Sequence, residues 1–286
     1  KMIKSDFHTH TTLSSDGISA MPQMVEQAIA CAIDTYCITE HYDYDNNNKK
    51  VAGFLAEFPE YAQPESPVPF ICDMKAYHSE FSKMRDQYSS DIDLRFGIEL
   101  GLMPHLGDYY RAFASQYPFD FIIGSTHEAG GIDPFYPDYL VSRTPAEGYR
   151  LYLETEYENL KACLGAYDVC GHIDYAMRYH TSDDSRFKYS DYADILDKIL
   201  EFLISNGLGI ECNTGGFSYF CNEPNPRTEI IKRYRQLGGE IITVGSDAHK
   251  TDNIARHFDK AEAILKECGF KYYTVFKNRT PEFIKL

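Results

Sequence analysis

Along the chain, short apolar runs that end in a polar cluster alternate with stretches whose apolar residues recur at helical spacing. The runs are IKSDFHTH (3–10), TYCITEH (35–41), RFGIELG (95–101), FDFIIGSTH (119–127), YDVCGHID (167–174), LGIECNT (208–214) and EIITVGSDAH (240–249), seven candidate strands. Runs of this length suit strands, whereas recurrence every three to four residues marks a helix with one buried face. Met21, Met24, Val25, Ala28, Ile29 and Ala32 trace such a face between the first two runs, with Ser19 placed as the N-cap. Tyr192, Ile195, Leu196, Ile199, Leu200 and Leu203 trace another before the sixth run, and Gly207 ends it. IARHFDKAEAILKECG (254–269) repeats the pattern after the seventh.

Strand–helix alternation predicts a parallel sheet with helices outside it. Seven such units in 286 residues predict a distorted seven-stranded α/β barrel of the TIM-barrel kind, one domain spanning 1–286. Asp43 to Phe70, rich in Asn and Pro, reads as a long excursion from that frame.

Such barrels carry their chemistry at the carboxyl ends of the strands, and there the polar clusters fall. The first strand ends in His8 and His10, with Asp16 in its loop; the second ends in His41, the third in Glu99, the fourth in His127 and the fifth in His172. The seventh ends in Asp247 and His249. Alternate residues of a strand point to one side, so His8 and His10 can present two imidazoles to one point, as can the Asp247–His249 pair. Taken singly, a histidine at a strand end is an ordinary loop residue and Asp16 before Gly17 an ordinary turn residue. A carboxylate amid apolar neighbours, as in FGIELG, must be paired or bound. Six imidazoles and three carboxylates at one end of one barrel predict a metal site. They are too many for one ion of about four ligands, so two or three divalent ions are expected, and this donor set admits Zn, Fe or Mn.

The composition narrows the partners. With a formal net charge of −15 and no run of Lys or Arg, the chain lacks the basic stripe that long nucleic acids require. No stretch of about 18 apolar residues is present, so no membrane span is expected. KMIKSDFHTH lacks the features of a secretory signal, and the eight scattered cysteines include no Cys-x-x-Cys pair; reduced thiols and a cytoplasmic location are the expectation. An acidic chain repels a phosphorylated substrate unless bound cations supply local positive charge.

DFHTHTTLSSDG, ITEH, GIELG and GSDAH together resemble the motifs of the polymerase-and-histidinol-phosphatase superfamily of metal-dependent phosphoesterases. DFIIGSTHEAGGID and YDVCGHIDYAMRY look like its histidinol-phosphate phosphatase branch, and the likeness runs from about Ile3 to Phe258. The resemblance implies a distorted seven-stranded barrel and a cytoplasmic enzyme of histidine biosynthesis that hydrolyses L-histidinol phosphate to L-histidinol and phosphate. It also implies a sorting of ligands. His8, His10, Glu99 and Asp247 would hold one ion; Glu99 would bridge to a second held by His127 and His172; Asp16, His41 and His249 would hold a third. Glu99, Asp247 and His249 are then the candidate catalytic residues. The family often has histidine where this chain has Asp16, a harder ligand that changes the third ion's preference. Arg178 is the first candidate for gripping phosphate. In relatives a second arginine closely follows an NTSG-like motif, which here reads NTGGFSYF; the next arginine, Arg227, is the second candidate.

Other readings compete. A nucleotide or another small phosphomonoester could be the substrate. CNEPNPRT (221–228) has the spacing of a cysteine-dependent phosphatase, with Cys221 as nucleophile and Arg227 as phosphate ligand, but Pro224 and Pro226 remove two backbone donors such a loop needs. A non-enzymatic metal-binding protein is a further alternative, although structural zinc favours closed sites with cysteine and none belongs to this cluster. DYDNN (43–47) hints at a calcium loop but lacks its central glycine and terminal glutamate. His78, His105, His180 and His257 read as surface or supporting groups, and no sequence feature specifies an oligomeric state.

Overall fold

The computed structural model describes residues 3–45, 55, 56, 59, 70–179 and 187–286. Seven parallel strands follow one another in chain order: β1 (Ser5–Asp6), β2 (Thr35–Tyr42), β3 (Asp93–Gly101), β4 (Phe121–Ser125), β5 (Val169–Cys170), β6 (Gly209–Asn213) and β7 (Ile242–Gly245). One helix follows each: α1 (Met21–Ala30), α2 (Met74–Gln87), α3 (Gly107–Ala114), α4 (Pro145–Ala162), α5 (Tyr189–Ser205), α6 (Thr228–Gln236) and α7 (Phe258–Glu267). The regular part of β1 is only two residues long. Past it the Phe7 N–H donates to the Val244 carbonyl (2.9 Å), the Asp247 N–H to the His8 carbonyl (2.8 Å) and the His10 N–H to the Ala248 carbonyl (2.8 Å). First and last strands thus meet through a short irregular seam, and that seam is the barrel's distortion.

The apolar periodicities land as expected. Met21, Met24, Val25 and Ala28 are the buried residues of α1, and Tyr192, Ile195, Leu196, Ile199, Leu200 and Leu203 those of α5. Gly207 sits beyond α5 at a left-handed φ of 69°, which a side chain disfavours. The N-cap of α1 is Ala20 rather than Ser19; the Gln23 side chain accepts its N–H (3.1 Å). The Ser19 hydroxyl accepts from the Thr251 N–H (3.2 Å) and so ties the loop after β7 to the loop after β1. The last helix begins at Phe258, because Ala255 and His257 adopt left-handed φ of 54° and 64°. All eight cysteines are free, six of them buried. Among the described residues no helix is long and apolar enough to cross a membrane. Most of the Asp43–Phe70 excursion lies outside the described residues.

The hairpin β8 (Tyr272–Lys277) and β9 (Thr280–Lys285) was not anticipated. Its two-residue turn, Asn278–Arg279, has φ of 49° and 59°, positive at both positions as tight hairpins require. It packs under the amino end of the barrel, with Phe276 against Phe121 (ring centroids 5.0 Å apart) and Phe121 against Phe7 (5.2 Å). These rings fill the lower interior, and the polar chemistry collects above them.

Candidate metal centre

Glu99, near the end of β3, lies at the middle of the mouth and is fully buried. Its Oε2 is 3.2 Å from His8 Nε2, 3.4 Å from His10 Nε2 and 3.1 Å from His41 Nδ1. Its Oε1 is 3.1 Å from both His127 Nε2 and His172 Nε2, and the Ser125 hydroxyl donates to it (2.6 Å). Asp247 Oδ1 lies 3.5 Å from both His8 Nε2 and His10 Nε2. On the outer side, Asp16 Oδ2 is 3.0 Å from His249 Nε2 and 3.4 Å from His41 Nε2. All nine residues expected as metal ligands therefore come together. Ligand-capable atoms converge in the sets His8–His10–Asp247, Glu99–His127–His172, His10–His41–His249 and His41–Asp43–His127.

These groups suit cations better than they suit one another. His8 Nε2, both ring nitrogens of His10, His41 Nδ1 and Glu99 Oε2 are buried without a hydrogen-bond partner, although charged neighbours lie close. Buried polar atoms are normally bonded, and several unbonded donors around one point are what a multi-ion site leaves. Burial would push the Glu99 and Asp247 carboxyls up, but the surrounding imidazoles override it, His8 foremost, and hold both well below the usual carboxylate range. They are thus ionised, as metal binding demands. His10 is driven down to about 3 by burial, then by His41 and His249, so its ring is neutral, the form that ligates.

A surrounding shell of carboxylates and amides fixes these rings. Glu211 of β6 accepts through Oε2 from His8 Nδ1 (2.8 Å) and through Oε1 from the His172 N–H (2.7 Å). Asp43 Oδ2 pairs with His127 Nδ1 at 2.8 Å. Two glycines make room: a Cβ on Gly101 would come within 2.4 Å of the Asp43 carboxyl carbon, and one on Gly245 within 2.3 Å of His8 Cβ. Asp247 holds a left-handed φ of 55°, a costly conformation for a non-glycine residue and one concentrated at functional sites. Its Oδ2 accepts from Arg178 (3.1 Å) and from the Asn213 amide (3.1 Å). Beneath it, buried Asp6 accepts from the Ser246 N–H (2.9 Å) and hydroxyl (2.6 Å) and from the Ala255 N–H (3.1 Å).

Glu211, Asp43, Asn213 and Asp6 escaped the sequence reading. Glu211 was detectable by the reasoning applied to Glu99, because it too is an acid amid apolar residues in a predicted strand.

A cavity of about 370 Å³ opens over the cluster. Arg178 lines it, buried between the rings of Tyr175 and Tyr219 (5.2 and 5.5 Å), its Nε donating to Asn225 (2.6 Å). Arg227 is not among the lining residues; it lies over the Phe187 ring, with Nε 3.9 Å from Asp174. The Cys221 thiol is pushed up by burial, the reverse of what a thiolate nucleophile needs. In the DYDNN stretch Asp43 serves His127 and Asp45 pairs with His105 (2.7 Å); Asn46 and Asn47 lie outside the described residues, as does His180.

Fold and side chains together define a class: parallel α/β barrels whose mouth gathers histidines and carboxylates into a multi-metal site. The PHP domain family model matches residues 6–215, and the chain belongs to that family. The chain is 29% identical over 293 residues to the histidinol-phosphatase of Lactococcus lactis, covering 96% of this chain and 95% of that one. It is 29% identical to a probable histidinol-phosphatase of Thermotoga maritima, covering 94% of each. Among solved structures, that of the Lactococcus lactis histidinol phosphate phosphatase complexed with zinc, L-histidinol and phosphate superposes with a TM-score of 0.84 at 25% identity, covering 99% and 100% of the two chains. A Listeria monocytogenes structure shares the fold at 22% identity, with a TM-score of 0.75 and 90% and 99% coverage.

Proposed function

We propose that the chain is a metal-dependent phosphomonoesterase that hydrolyses L-histidinol phosphate to L-histidinol and phosphate, working as one domain over 1–286. The observation that carries the reading is the convergence of six histidines and two further acids on buried Glu99, at the floor of a cavity that holds a buried arginine. The near full-length likeness to the Lactococcus lactis enzyme, whose structure contains zinc, L-histidinol and phosphate, supports this substrate.

His8, His10, Glu99 and Asp247 would hold one ion, Glu99, His127 and His172 a second, and Asp16, His41 and His249 a third. Bound divalent ions supply Lewis acidity, lowering the pKa of water toward neutrality and neutralising phosphate oxygens. The chain's own groups set the geometry. Glu99 faces two histidine sets with different oxygens, which suits a bridging carboxylate. Glu211 fixes the His8 ring by accepting a hydrogen bond from its Nδ1–H, which leaves Nε2 facing the cluster to ligate. Arg178, locked by Asn225 and Asp247, offers a preoriented guanidinium to phosphate. Phe135, Tyr136, Tyr179 and Tyr219 line the outer cavity with Asp133, whose carboxyl is pushed up to about 6 by burial. Flat rings and one acid there fit the imidazole and the amine of histidinol.

The test is phosphate release from L-histidinol phosphate and from a panel of other monoesters including nucleotides, with and without chelator. Turnover should be fastest on L-histidinol phosphate and abolished by chelation. Faster turnover of a nucleotide would overturn the substrate; chelator-resistant activity blocked by thiol alkylation would move the chemistry to Cys221.

A further inference from the structure

Two arginines line the cavity, Arg178 and Arg256, and they are placed in opposite ways. Arg178 is buried and bonded to Asn225 and Asp247. Arg256, on the segment after β7 that follows Asp247 and His249, is exposed, and among the described residues its side chain makes no hydrogen bond or ion pair.

Its position is costly to the free protein. Both neighbours, Ala255 and His257, adopt left-handed φ of 54° and 64°, which non-glycine residues avoid unless the surroundings enforce it. Arg256 directly precedes His257, the N-cap of α7, where the positive end of the helix dipole disfavours a cation. The segment is nevertheless held firmly. The Ala255 N–H donates to buried Asp6 (3.1 Å), the carboxylate that also takes the Ser246 N–H beside Asp247. An exposed arginine with no protein partner, carried on a fixed backbone at the rim of the cavity, is placed to meet an anionic ligand.

The neighbouring loop explains why the cation comes from here. After β6 the cavity wall is Thr214, Gly215, Ser218 and Tyr219, with no cation. The two loops pack together through the Phe217 and His257 rings, whose centroids are 5.3 Å apart. Ser218 and Arg256, next in sequence to these two rings, both line the cavity.

We propose that Arg256 is a phosphate-binding residue of this site, taking oxygens of the ester's phosphate group from the rim while Arg178 takes them from the wall. The inference rests on the phosphatase reading for the identity of the anion. Inorganic phosphate is the probe, titrated calorimetrically into the metal-loaded protein, with metal content checked in every variant. Arg256→Ala should weaken phosphate binding about tenfold or more and raise KM for the ester more than it lowers kcat, leaving metal content and L-histidinol binding unchanged. Adding Ser218→Arg to Arg256→Ala should recover much of the phosphate affinity from the adjoining loop. Wild-type phosphate affinity and KM in Arg256→Ala would overturn this inference alone, leaving the phosphatase reading intact. A wild-type protein that binds no phosphate and releases none would overturn both.

Discussion

At the amino end of the barrel, Asp120 and Asp168 are buried and fully bonded. Asp120 accepts the N–H groups of Phe96 and Asn278 (both 3.0 Å), and Asp168 accepts the Ile122 N–H (2.8 Å) and Arg279 Nε (3.0 Å). At the carboxyl end, Glu99, His8 and His10 are more deeply buried still, yet Glu99 Oε2, His8 Nε2 and both nitrogens of His10 lack hydrogen-bond partners. The same residue types thus serve two purposes. Below, each acid ties a strand start to the hairpin and stabilises the fold; above, polar atoms are kept unsatisfied in the protein so that they can be satisfied by ions. The division matches the general asymmetry of such barrels, with chemistry at the strand ends and stability at the strand starts.

The sharpest way to break the comparison is at Glu99. Glu99→Gln keeps the shape and removes the charge. Turnover should fall by at least about 100-fold, beyond the usual cost of losing a supporting carboxylate, and bound metal should drop, as read by elemental analysis of the dialysed protein. Thermal stability of the metal-free protein should fall at neutral pH as well, because the imidazoles around Glu99 favour its charged form there. Near-normal activity at saturating metal would show that Glu99 belongs with the structural acids. Glu211 ranks next. It orients His8 and His172 without facing the cavity, so Glu211→Gln should cost about 10- to 100-fold in metal affinity or turnover, with excess metal recovering part of the loss. A large loss of folding stability with unchanged metal binding would instead move Glu211 to the structural class.

A third treatment of a buried carboxyl sharpens the contrast. Glu156 of α4 is fully buried; the Cys170 thiol donates to Oε1 (3.3 Å), and Oε2 has no partner. Burial pushes its pKa well above the ordinary 4.5; the thiol's hydrogen bond opposes this and the Asp174 charge adds to it. With no cation beside it, Glu156 stays protonated. Because the folded value exceeds the unfolded one, its contribution to stability is complete below about pH 4.5 and declines as pH rises toward the folded value, by at most about 1.4 kcal/mol per pH unit. Glu156→Gln should lose that slope. Melting curves from pH 5 to 9 should show the variant gaining on the wild type as pH rises; parallel curves would mean that Glu156 is ionised in the fold.

Most of the barrel was legible because its strands are buried and its helices one-sided, so the periodicities are strong. The nine residues at the mouth were legible because seven strand ends in register bring their polar tails to one place. The shell around them was less so. Glu211 looked like one polar residue in a sixth strand with no histidine, and Asp43 fell in a polar tract read as a loop. Arg227 was chosen for its nearness in sequence to NTGG, but the chain turns after Phe220 and carries it to Asp174. The hairpin was missed because β9 is mostly exposed, with Phe283 47% and Ile284 37% accessible, and carries no apolar alternation.

The hairpin supplies the mildest test, one that asks whether the amino end is only structural. Arg279 sits in the turn with a left-handed φ of 59°, its Nε 3.0 Å from Asp168 Oδ1, while its own N–H donates to the Asp120 carbonyl (2.8 Å). Burial raises the Asp168 pKa and Arg279 counteracts it, so removing the guanidinium leaves a buried acid with one bond fewer. The arginine is 28% exposed, and solvent screening limits the loss, so Arg279→Ala should destabilise by about 1–2 kcal/mol. That corresponds to a fall of a few degrees in Tm. Metal content, kcat and KM below the melting range should be unchanged, because the barrel's aromatic interior of Phe7, Phe121 and Phe276 separates this end from the mouth. An altered kcat at unchanged stability would mean that strain passes along β4 or β5 to His127 or His172, and the two ends would have to be treated as one device.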